Sequence, residues 1–326
     1  MKRIFITGGG GYVGSALCDY LIEKGYYVTA FDLFIYGKDV FNSKKNLNII
    51  EGDIRNIDLI RKSLKDHDIV IHLACISNDP SFELNPKLGK SINLDAFEPL
   101  VKASKNAGIK RFIYASSSSV YGIKEEKNVH ENMKLEPITD YSKFKMECEN
   151  ILSKYNNEDF VTTTIRPATV CGYSKRQRLD VIVNILSNIG FHKREITIFG
   201  GDQLRPNIHI KDMIRAYHSI IEADPDKING EVFNAGWENK SVKSIAFTVK
   251  NVLGEDIKLS VTPTDDNRSY HISSEKINKK LNFFTKFTIE DAVKDMRKAF
   301  IEKKFHDPLN NPNYFNIKKM QLIKLN

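Results

Sequence analysis

The sequence predicts an α/β fold, a doubly wound parallel sheet with a smaller, discontinuous C-terminal lobe. Three observations predict this class. Short β-rich runs alternate with amphipathic segments through the first half of the chain, as in repeated strand–helix–strand units. The runs at 69–71 and 112–114 are apolar or aromatic at every position, which is typical of strands covered by helices on both faces. A glycine-rich turn at 7–14 connects the first predicted strand to the first predicted helix.

The predicted elements alternate regularly up to Pro167 and become irregular beyond it. The expected strands are 3–7, 27–31, 47–51, 68–73, 111–116 and 160–166, with helices at 13–24, 57–64, 88–107 and 141–155. Beyond Pro167 we expect a helix at 180–189, a strand at 196–199, a strand–helix pair at 207–222, a strand at 232–235 and helices at 241–253 and 289–304. Residues 1–166, with return segments near 207–250, are expected to form one domain, and 167–326 mainly a second lobe and a tail. The tail from Asp307 is interpreted as a surface or partner-docking segment.

Composition excludes several classes of protein. The 326 residues exceed one small domain, and 41% hydrophobic with 28% charged residues is a globular composition. No apolar run approaches the roughly 18 residues of a transmembrane helix, and no signal peptide is visible, so we expect a cytoplasmic protein without a membrane partner. The four cysteines are widely spaced, so neither a disulfide framework nor a metal site is expected. The net charge of +8 comes from scattered lysines, so we expect no nucleic-acid partner.

The glycine-rich turn predicts a dinucleotide site. Gly8, Gly11 and Gly14 permit a tight turn, a close approach of the backbone to a pyrophosphate and close packing of helix against strand. The N-terminus of the next helix offers N–H groups and a partial positive charge to phosphates. Asp32 ends the next strand, where a carboxylate accepts hydrogen bonds from the adenosine ribose and repels a 2′-phosphate. The expected cofactor is therefore NAD rather than NADP.

A tyrosine and a lysine four residues apart predict a general base. Tyr141 and Lys145 share one face of a helix. A neighbouring ammonium favours the phenolate over the phenol, as a general base requires. Four serines at 116–119 follow a predicted strand, at the edge where open α/β sheets bind their ligands. The two patterns together indicate a catalytic site.

With these motifs the chain resembles the extended short-chain dehydrogenase/reductases that act on nucleotide sugars, which bind NAD on a Rossmann domain. The resemblance covers approximately residues 3–305. Its order and spacing are more specific than any single motif. The matching pieces are TGGGGYVG (7–14), GDI (52–54), HLAC (72–75), INLDA (92–96), SSSSVYG (116–122), YSKFK (141–145), IRPATVCG (165–172), FGGDQLRPNIHIKD (199–212) and DNRSYHISSEKINKKLNF (266–283).

The resemblance implies a role for each matching residue. Tyr141 is implied to be the catalytic base, Lys145 its activating partner and Ser117 the catalytic hydroxyl. The implied cofactor-binding residues are Gly8, Gly11, Tyr12, Val13, Gly14, Asp32, Asp53, Ile54, Leu73, Ala74, Asn93, Ser116, Tyr141, Lys145 and Pro167. The implied substrate-binding residues are Ser77, Asn78, Ser118, Thr169, Arg178, Asn184, Arg205 and Arg268, with Arg205 and Arg268 on a substrate diphosphate, an anion that a planar guanidinium suits.

The implied reaction is NAD-dependent oxidation at C4 of a nucleotide-activated sugar (GDP-, UDP- or similar) by a 4-dehydrogenase or an epimerase. Dehydratases of the family carry Asp and Glu after the catalytic hydroxyl, whereas this chain has Ser118 and Ser119, so 4,6-dehydration is not expected. The stretches at 75–86 and 166–184 resemble enzymes that modify GDP-linked heptose or mannose for capsules, which implies a role in cell-surface polysaccharide biosynthesis. The segments 88–107 and 141–155 resemble helices that pair in family dimers, so we expect a homodimer or a dimer of dimers.

Two alternatives stay open from the sequence. A carbonyl or hydroxysteroid-type reductase on the same fold would have an apolar pocket and usually NADP. Asp32 and the arginines at 178, 205 and 268 argue against that alternative. A non-catalytic NAD-binding scaffold protein would typically lack the tyrosine or the lysine of the pair, and both are present here.

Overall fold

A parallel sheet lies at the centre of the molecule in the computed structural model, which describes residues 1–41, 45–126, 128–264, 269 and 271–323. The strands are β1 (Arg3–Thr7), β2 (Tyr27–Asp32), β3 (Leu47–Glu51), β4 (Ile69–His72), β5 (Arg111–Ala115), β6 (Val161–Pro167), β7 (Thr169–Cys171), β8 (Glu195–Phe199), β9 (Leu204–His209), β10 (Glu231–Ala235), β11 (Glu238–Ser241) and β12 (Lys258–Thr262). The α-helices are α1 (Tyr12–Glu23), α2 (Ile57–Ser63), α3 (Asp79–Glu83), α4 (Pro86–Lys90), α5 (Phe97–Asn106), α6 (Asp140–Leu152), α7 (Ile182–Lys193), α8 (Ile210–Glu222), α9 (Pro225–Ile228), α10 (Val242–Leu253), α11 (Glu275–Leu281), α12 (Ile289–Ile301) and α13 (Asn316–Leu322).

The order of the strands creates a ligand-binding edge. Within the described residues the central sheet has seven strands in the order β10-β6-β5-β4-β1-β2-β3, and every neighbouring pair is parallel. On one side of β1 the chain adds β2 and then β3. It then crosses to the other side of β1, where β4, β5, β6 and β10 follow one another towards the opposite edge. Ligands of open sheets bind outside the carboxyl ends of the strands at such a reversal. The predicted fold class, a doubly wound α/β sheet, is confirmed.

Helices cover both faces of this sheet. On one face α1 and α8 contribute Leu17 and Tyr217 to an apolar cluster. On the other face α2, α5 and α6 form a second cluster, in which Leu100 and Leu152 are buried. Since both faces are covered, β1, β4 and β5 have no side exposed to water, which explains their continuous apolar sequences. No helix among the described residues is long and apolar enough to cross a membrane.

A smaller lobe is built after β6. Strand β9 pairs in parallel with β7 and antiparallel with β11, while β8 pairs in parallel with β12. Helices α7, α10 and α12 pack together around a third apolar cluster that includes Val183, Ile245 and Val293. The chain returns to the central sheet for β10, which lies beside β6, and then leaves it again.

Two of the differences between the structure and the predicted elements affect the cleft at the carboxyl ends of the strands. The helix predicted at 88–107 is divided into α4, one π-helical turn at Ser91–Asp95, and α5. In the π turn the Asn93 carboxamide bonds both the N–H and the C=O of Ile76, at 2.8 and 3.0 Å, so the distortion supports the loop after β4. The tail is more than a surface segment, because α13 packs Asn316 into the interior at 4% exposure.

A buried ion pair connects β6 to α6. The Arg166 guanidinium donates from Nε and Nη2 to the Glu149 carboxylate at 3.0 and 2.6 Å, and both side chains are at most 7% exposed. The Ser116 hydroxyl donates to the same carboxylate, and Arg166 Nη1 donates to Tyr121 Oη at 2.8 Å. Burial acts to lower the pKa of Arg166, but Glu149 outweighs it and keeps the pKa above its usual value. The pair fixes α6 against the ends of β5 and β6.

Glu149→Gln should destabilise the protein strongly, because the Arg166 charge would stay buried without a counter-ion. We expect the free energy of unfolding to fall by about 3–5 kcal/mol in urea denaturation followed by circular dichroism. The control is Glu290→Gln, whose carboxylate pairs with Lys294 on the surface and should leave the unfolding midpoint nearly unchanged. Equal midpoints for the two variants would contradict a stabilising role for the buried pair.

Candidate active site

A cleft lies at the carboxyl ends of the central strands. Its volume is about 400 Å³, within the range of small-molecule sites. Its walls include the loops after β1 to β6, the start of α6, the segment before α7, and α13. The predicted site residues that line it are Gly8, Gly11, Tyr12, Val13, Gly14, Asp32, Asp53, Ile54, Leu73, Ala74, Ser77, Asn78, Ser116, Ser117, Ser118, Tyr141, Lys145, Pro167, Thr169 and Arg178.

The glycine turn forms a backbone cradle at the start of α1. Gly8 has a φ of +74°, which side chains disfavour, and a Cβ there would lie 2.6 Å from the Ala74 backbone nitrogen. A Cβ at Gly14 would collide with the Gly8 carbonyl. The helix begins after Gly11, and no side chain caps its first turn, so the first N–H groups are left for a ligand. A cradle that any side chain would fill fits the diphosphate of NAD.

Asp32 is fixed by backbone groups at the end of β2. Its carboxylate accepts hydrogen bonds from the backbone N–H of Gly10 at 3.0 Å and of Phe34 at 2.8 Å. Burial raises the pKa of the Asp32 carboxyl, while these N–H donors and the Arg176 charge act in the opposite direction. The carboxylate therefore has its orientation before any ligand arrives, which suits the recognition of ribose hydroxyls.

Tyr141 and Lys145 lie together on the first turns of α6. The Lys145 Nζ is 5.8 Å from the centre of the Tyr141 ring and donates to the Ala115 carbonyl at 2.7 Å. Lys145 is 5% exposed. A capping box formed by Thr139 and Ser142 fixes the first turn of the helix. The ammonium group is thereby held between the tyrosine ring and the end of β5.

The loop after β5 brings hydroxyl groups to the same part of the cleft. Ser117 precedes a 3₁₀ turn at Ser118–Tyr121, and its Oγ accepts from the Ser119 backbone N–H at 3.1 Å. The Ser117 and Ser119 hydroxyls are 2.8 Å apart. Ser118 is buried, and Ser116 is committed to the Glu149 carboxylate. The loop thus presents hydroxyls, and no carboxylate, to the cleft that Tyr141 also lines.

Four predicted site residues are not found in the lining of the cleft. Asn184 is completely buried, and its carboxamide bonds backbone groups of the segment before α7. Asn93 is buried behind the loop after β4. Arg205 lies on β9, outside the lining, and donates to a neighbouring carbonyl. Arg268 lies outside the described residues. A match to a family motif predicts where along the fold a residue lies. It does not predict which way the side chain points, because that depends on tertiary packing.

The structure also brings residues into the cleft that sequence analysis missed. They are Tyr36, Arg176, Asp180, Asn316 and Met320, among others. Arg176 could have been included with Arg178, since the two lie two positions apart in the same segment. Asn316 had no comparable signal, because it lies in the tail and only the folded chain brings it to the site.

Comparison with known proteins supports these assignments of fold and cofactor. Residues 4–236 match the NAD dependent epimerase/dehydratase family. The uncharacterized UDP-glucose epimerase YtcB of Bacillus subtilis (strain 168) is 30% identical over 79% of this chain and 84% of that protein.

Two solved structures of epimerases have a similar fold. The UDP-glucuronic acid 4-epimerase from Bacillus cereus, in complex with UDP-glucuronic acid and NAD, is 26% identical with a TM-score of 0.83, over 92% of this chain and 99% of that chain. The UDP-N-acetylglucosamine 4-epimerase from Methanobrevibacter ruminantium M1, in complex with UDP-N-acetylmuramic acid, is 27% identical with a TM-score of 0.84, over 93% and 99%.

The matched range contains the glycine turn, Asp32 and the Tyr141–Lys145 pair. The prediction of NAD as cofactor is confirmed by the family match and by the NAD-bound relative. The chain therefore belongs to the NAD dependent epimerase/dehydratase family.

Proposed function

We propose that this protein oxidises the C4 hydroxyl of a nucleotide-activated sugar, as an epimerase or a simple 4-dehydrogenase. The observation that carries the proposal is that Ser117, Tyr141 and Lys145 line one cleft, which Asp32 and the glycine turn also line. A general base, a hydroxyl and a cofactor cradle in one cavity are the parts that oxidation of an alcohol requires.

Three side chains have separate roles in this oxidation. NAD, when bound, supplies the hydride acceptor. Tyr141 Oη takes the proton of the C4 hydroxyl, and Ser117 Oγ holds a hydrogen bond to the same oxygen. The Lys145 ammonium, fixed on the Ala115 carbonyl, favours the phenolate form of Tyr141. The 4-keto sugar is then released, or is reduced from the opposite face to give the epimer.

The loop after β5 argues against dehydration. Removal of water from a sugar needs an acid/base pair beside the catalytic hydroxyl, and this loop supplies Ser118 and Ser119 at those positions. Ser118 is buried and Ser119 bonds Ser117. Neither hydroxyl can replace a carboxylate as a general acid at neutral pH.

The names of the relatives favour a UDP-linked sugar over a GDP-linked one. Each of the three compared proteins is named for a UDP-sugar. A role in cell-surface polysaccharide biosynthesis stays a prediction from the sequence resemblance.

A reductase for apolar carbonyl compounds suits this cleft less well. Arg178 and Asp180 line the part of it that is not assigned to NAD, and such charged groups favour a polar ligand over a steroid. The scaffold alternative is decided by the next experiment, because a scaffold has no turnover to lose.

Tyr141→Phe should abolish most of the activity while leaving the fold intact. The ring keeps its packing but loses the proton acceptor, so turnover of a UDP-hexose should fall by about 10²–10⁴-fold with NAD and sugar still bound. Turnover is measured by chromatography of the products, and binding by calorimetry. Tyr27→Phe, outside the cleft, is the control. Full activity of Tyr141→Phe would remove Tyr141 from the role of base, whereas no turnover by the wild type with the UDP-hexoses tested would favour the scaffold alternative.

Asp32→Ala should reduce the preference for NAD over NADP. The wild type should bind NAD at least about tenfold more tightly, because the carboxylate repels a 2′-phosphate. Calorimetric titration with each dinucleotide measures the ratio, and Asp58→Ala on the surface serves as control. Equal affinities of the wild type for the two cofactors would remove Asp32 from this role.

We also propose that the protein assembles as a homodimer or a dimer of dimers through α5 and α6. Light scattering at micromolar concentration should then give two or four times the chain mass of 37.3 kDa. A mass equal to that of one chain would refute this assembly.

A further inference from the structure

The C-terminal helix α13 forms one wall of the cofactor cleft, although it lies well beyond the range that matches the family. Its attachment is specific. The Leu179 backbone N–H donates to the Tyr314 carbonyl at 2.9 Å, and the Asn316 backbone N–H donates to the Asp180 carboxylate at 2.7 Å. These contacts join the tail to the segment between β7 and α7.

The Asn316 side chain connects three residues that line the cleft. Its Oδ1 accepts from Arg176 Nη2 at 2.7 Å and from the Tyr36 hydroxyl at 3.0 Å. Its Nδ2 donates to Ser77 Oγ at 2.8 Å. Asn316 therefore fixes groups from the loops after β2 and β4 and from the segment before α7 in one arrangement.

Arg176 is a buried cation with an unused donor. It is 4% exposed, and its guanidinium lies 3.5 Å from the centre of the Tyr36 ring. Burial lowers its pKa to about 10, so the group stays positively charged at neutral pH. Its Nε has no hydrogen-bond partner. A buried N–H left unpaired is costly, and one that borders a cleft indicates an acceptor supplied by the ligand.

The position of Arg176 indicates which part of a ligand supplies that acceptor, since Arg176 lies between the first turn of α1 and the loop after β2. Two residues earlier, the Ser174 hydroxyl donates to the Tyr12 carbonyl at 2.8 Å and lies 3.1 Å from the Ser15 hydroxyl. The segment before α7 therefore lies over the first turn of α1, where the glycine cradle receives a diphosphate. On the other side, Arg176 stacks on Tyr36, which follows Asp32 in the same loop.

We propose that Arg176 binds the adenosine diphosphate half of NAD, and that Asn316 is the residue that positions it, so that α13 completes the cofactor site. Asp32 accepts from the ribose while Arg176 donates to the adjacent phosphate. NAD binding and docking of the tail therefore stabilise each other. This assignment concerns the cofactor and does not depend on which sugar the protein uses.

Calorimetric titration of the full-length protein with NAD, in the absence of any sugar, tests the proposal. Arg176→Ala should weaken NAD binding by about 10- to 100-fold, the loss of a charge-assisted hydrogen bond. Asn316→Ala should weaken it by about tenfold, and the double variant should be no weaker than Arg176→Ala, because the two residues act as one unit. Arg176→Lys keeps the charge and should recover part of the affinity, and it replaces Arg176→Ala if that variant does not fold.

Gln321→Ala is the matched control, since Gln321 is exposed on the same helix, and it should bind NAD as the wild type does. Normal NAD affinity in Asn316→Ala, or additive losses in the double variant, would overturn the proposal. Failure of the protein to turn over nucleotide sugars would leave these NAD affinities unaffected, so the two proposals fail separately.

Trypsin cleavage after Lys318 and Lys319 gives a readout of the tail itself. NAD should slow cleavage of the tail in the wild type and in Gln321→Ala. In Arg176→Ala it should give no such protection, even at an NAD concentration high enough to saturate that variant. Equal protection in Arg176→Ala and the wild type would show that the tail docks independently of this arginine, and would overturn the coupling.

Discussion

The buried pair of Arg166 and Glu149 is the interaction on which the relative positions of α6 and the loop after β5 depend. It joins β6 to α6, the helix that carries Tyr141 and Lys145. Through the Ser116 hydroxyl it also reaches the loop that presents Ser117. The helix that carries Tyr141 and the loop that carries Ser117 are thereby held together. An ion pair in this place costs desolvation energy, and what the protein gains from it is a defined position of α6 relative to the loop after β5.

Most polar groups of the cleft are held in position by contacts within the protein. Asp32 is held by two backbone N–H groups, Lys145 by a carbonyl and Ser117 by a backbone N–H. Groups that are oriented in advance need little reorganisation when a ligand binds or when charge develops. The groups of the glycine turn and β2 suit a dinucleotide, those of α6 and the loop after β5 suit proton transfer, and both sets line one cleft.

Those features of the fold and the site that depend on a short stretch of sequence could be predicted from the sequence alone. Strands buried on both faces, such as β1 and β5, were predicted to within a residue, and the glycine turn and the Tyr141–Lys145 spacing both lead to the cleft. Features that arise from tertiary packing were missed. The directions of the Asn184 and Arg205 side chains and the arrival of Asn316 in the cleft depend on contacts between distant segments, which no pattern along the chain encodes. Strands β11 and β12 carry few apolar residues and gave no signal.

The π-helical turn at Ser91–Asp95 affects how this segment can change in length. A π turn holds one residue more than an α turn, and here the added residue turns Asn93 towards the loop after β4. Deleting one residue within the turn would leave a continuous α-helix, and α5 would keep its rotation relative to α4, because the wider turn absorbs the extra residue. Phe97 and Leu100, both fully buried, would stay packed against the sheet. A chain that lacks one residue at this point can therefore keep the same core, and what it loses is the side chain that supports the loop after β4.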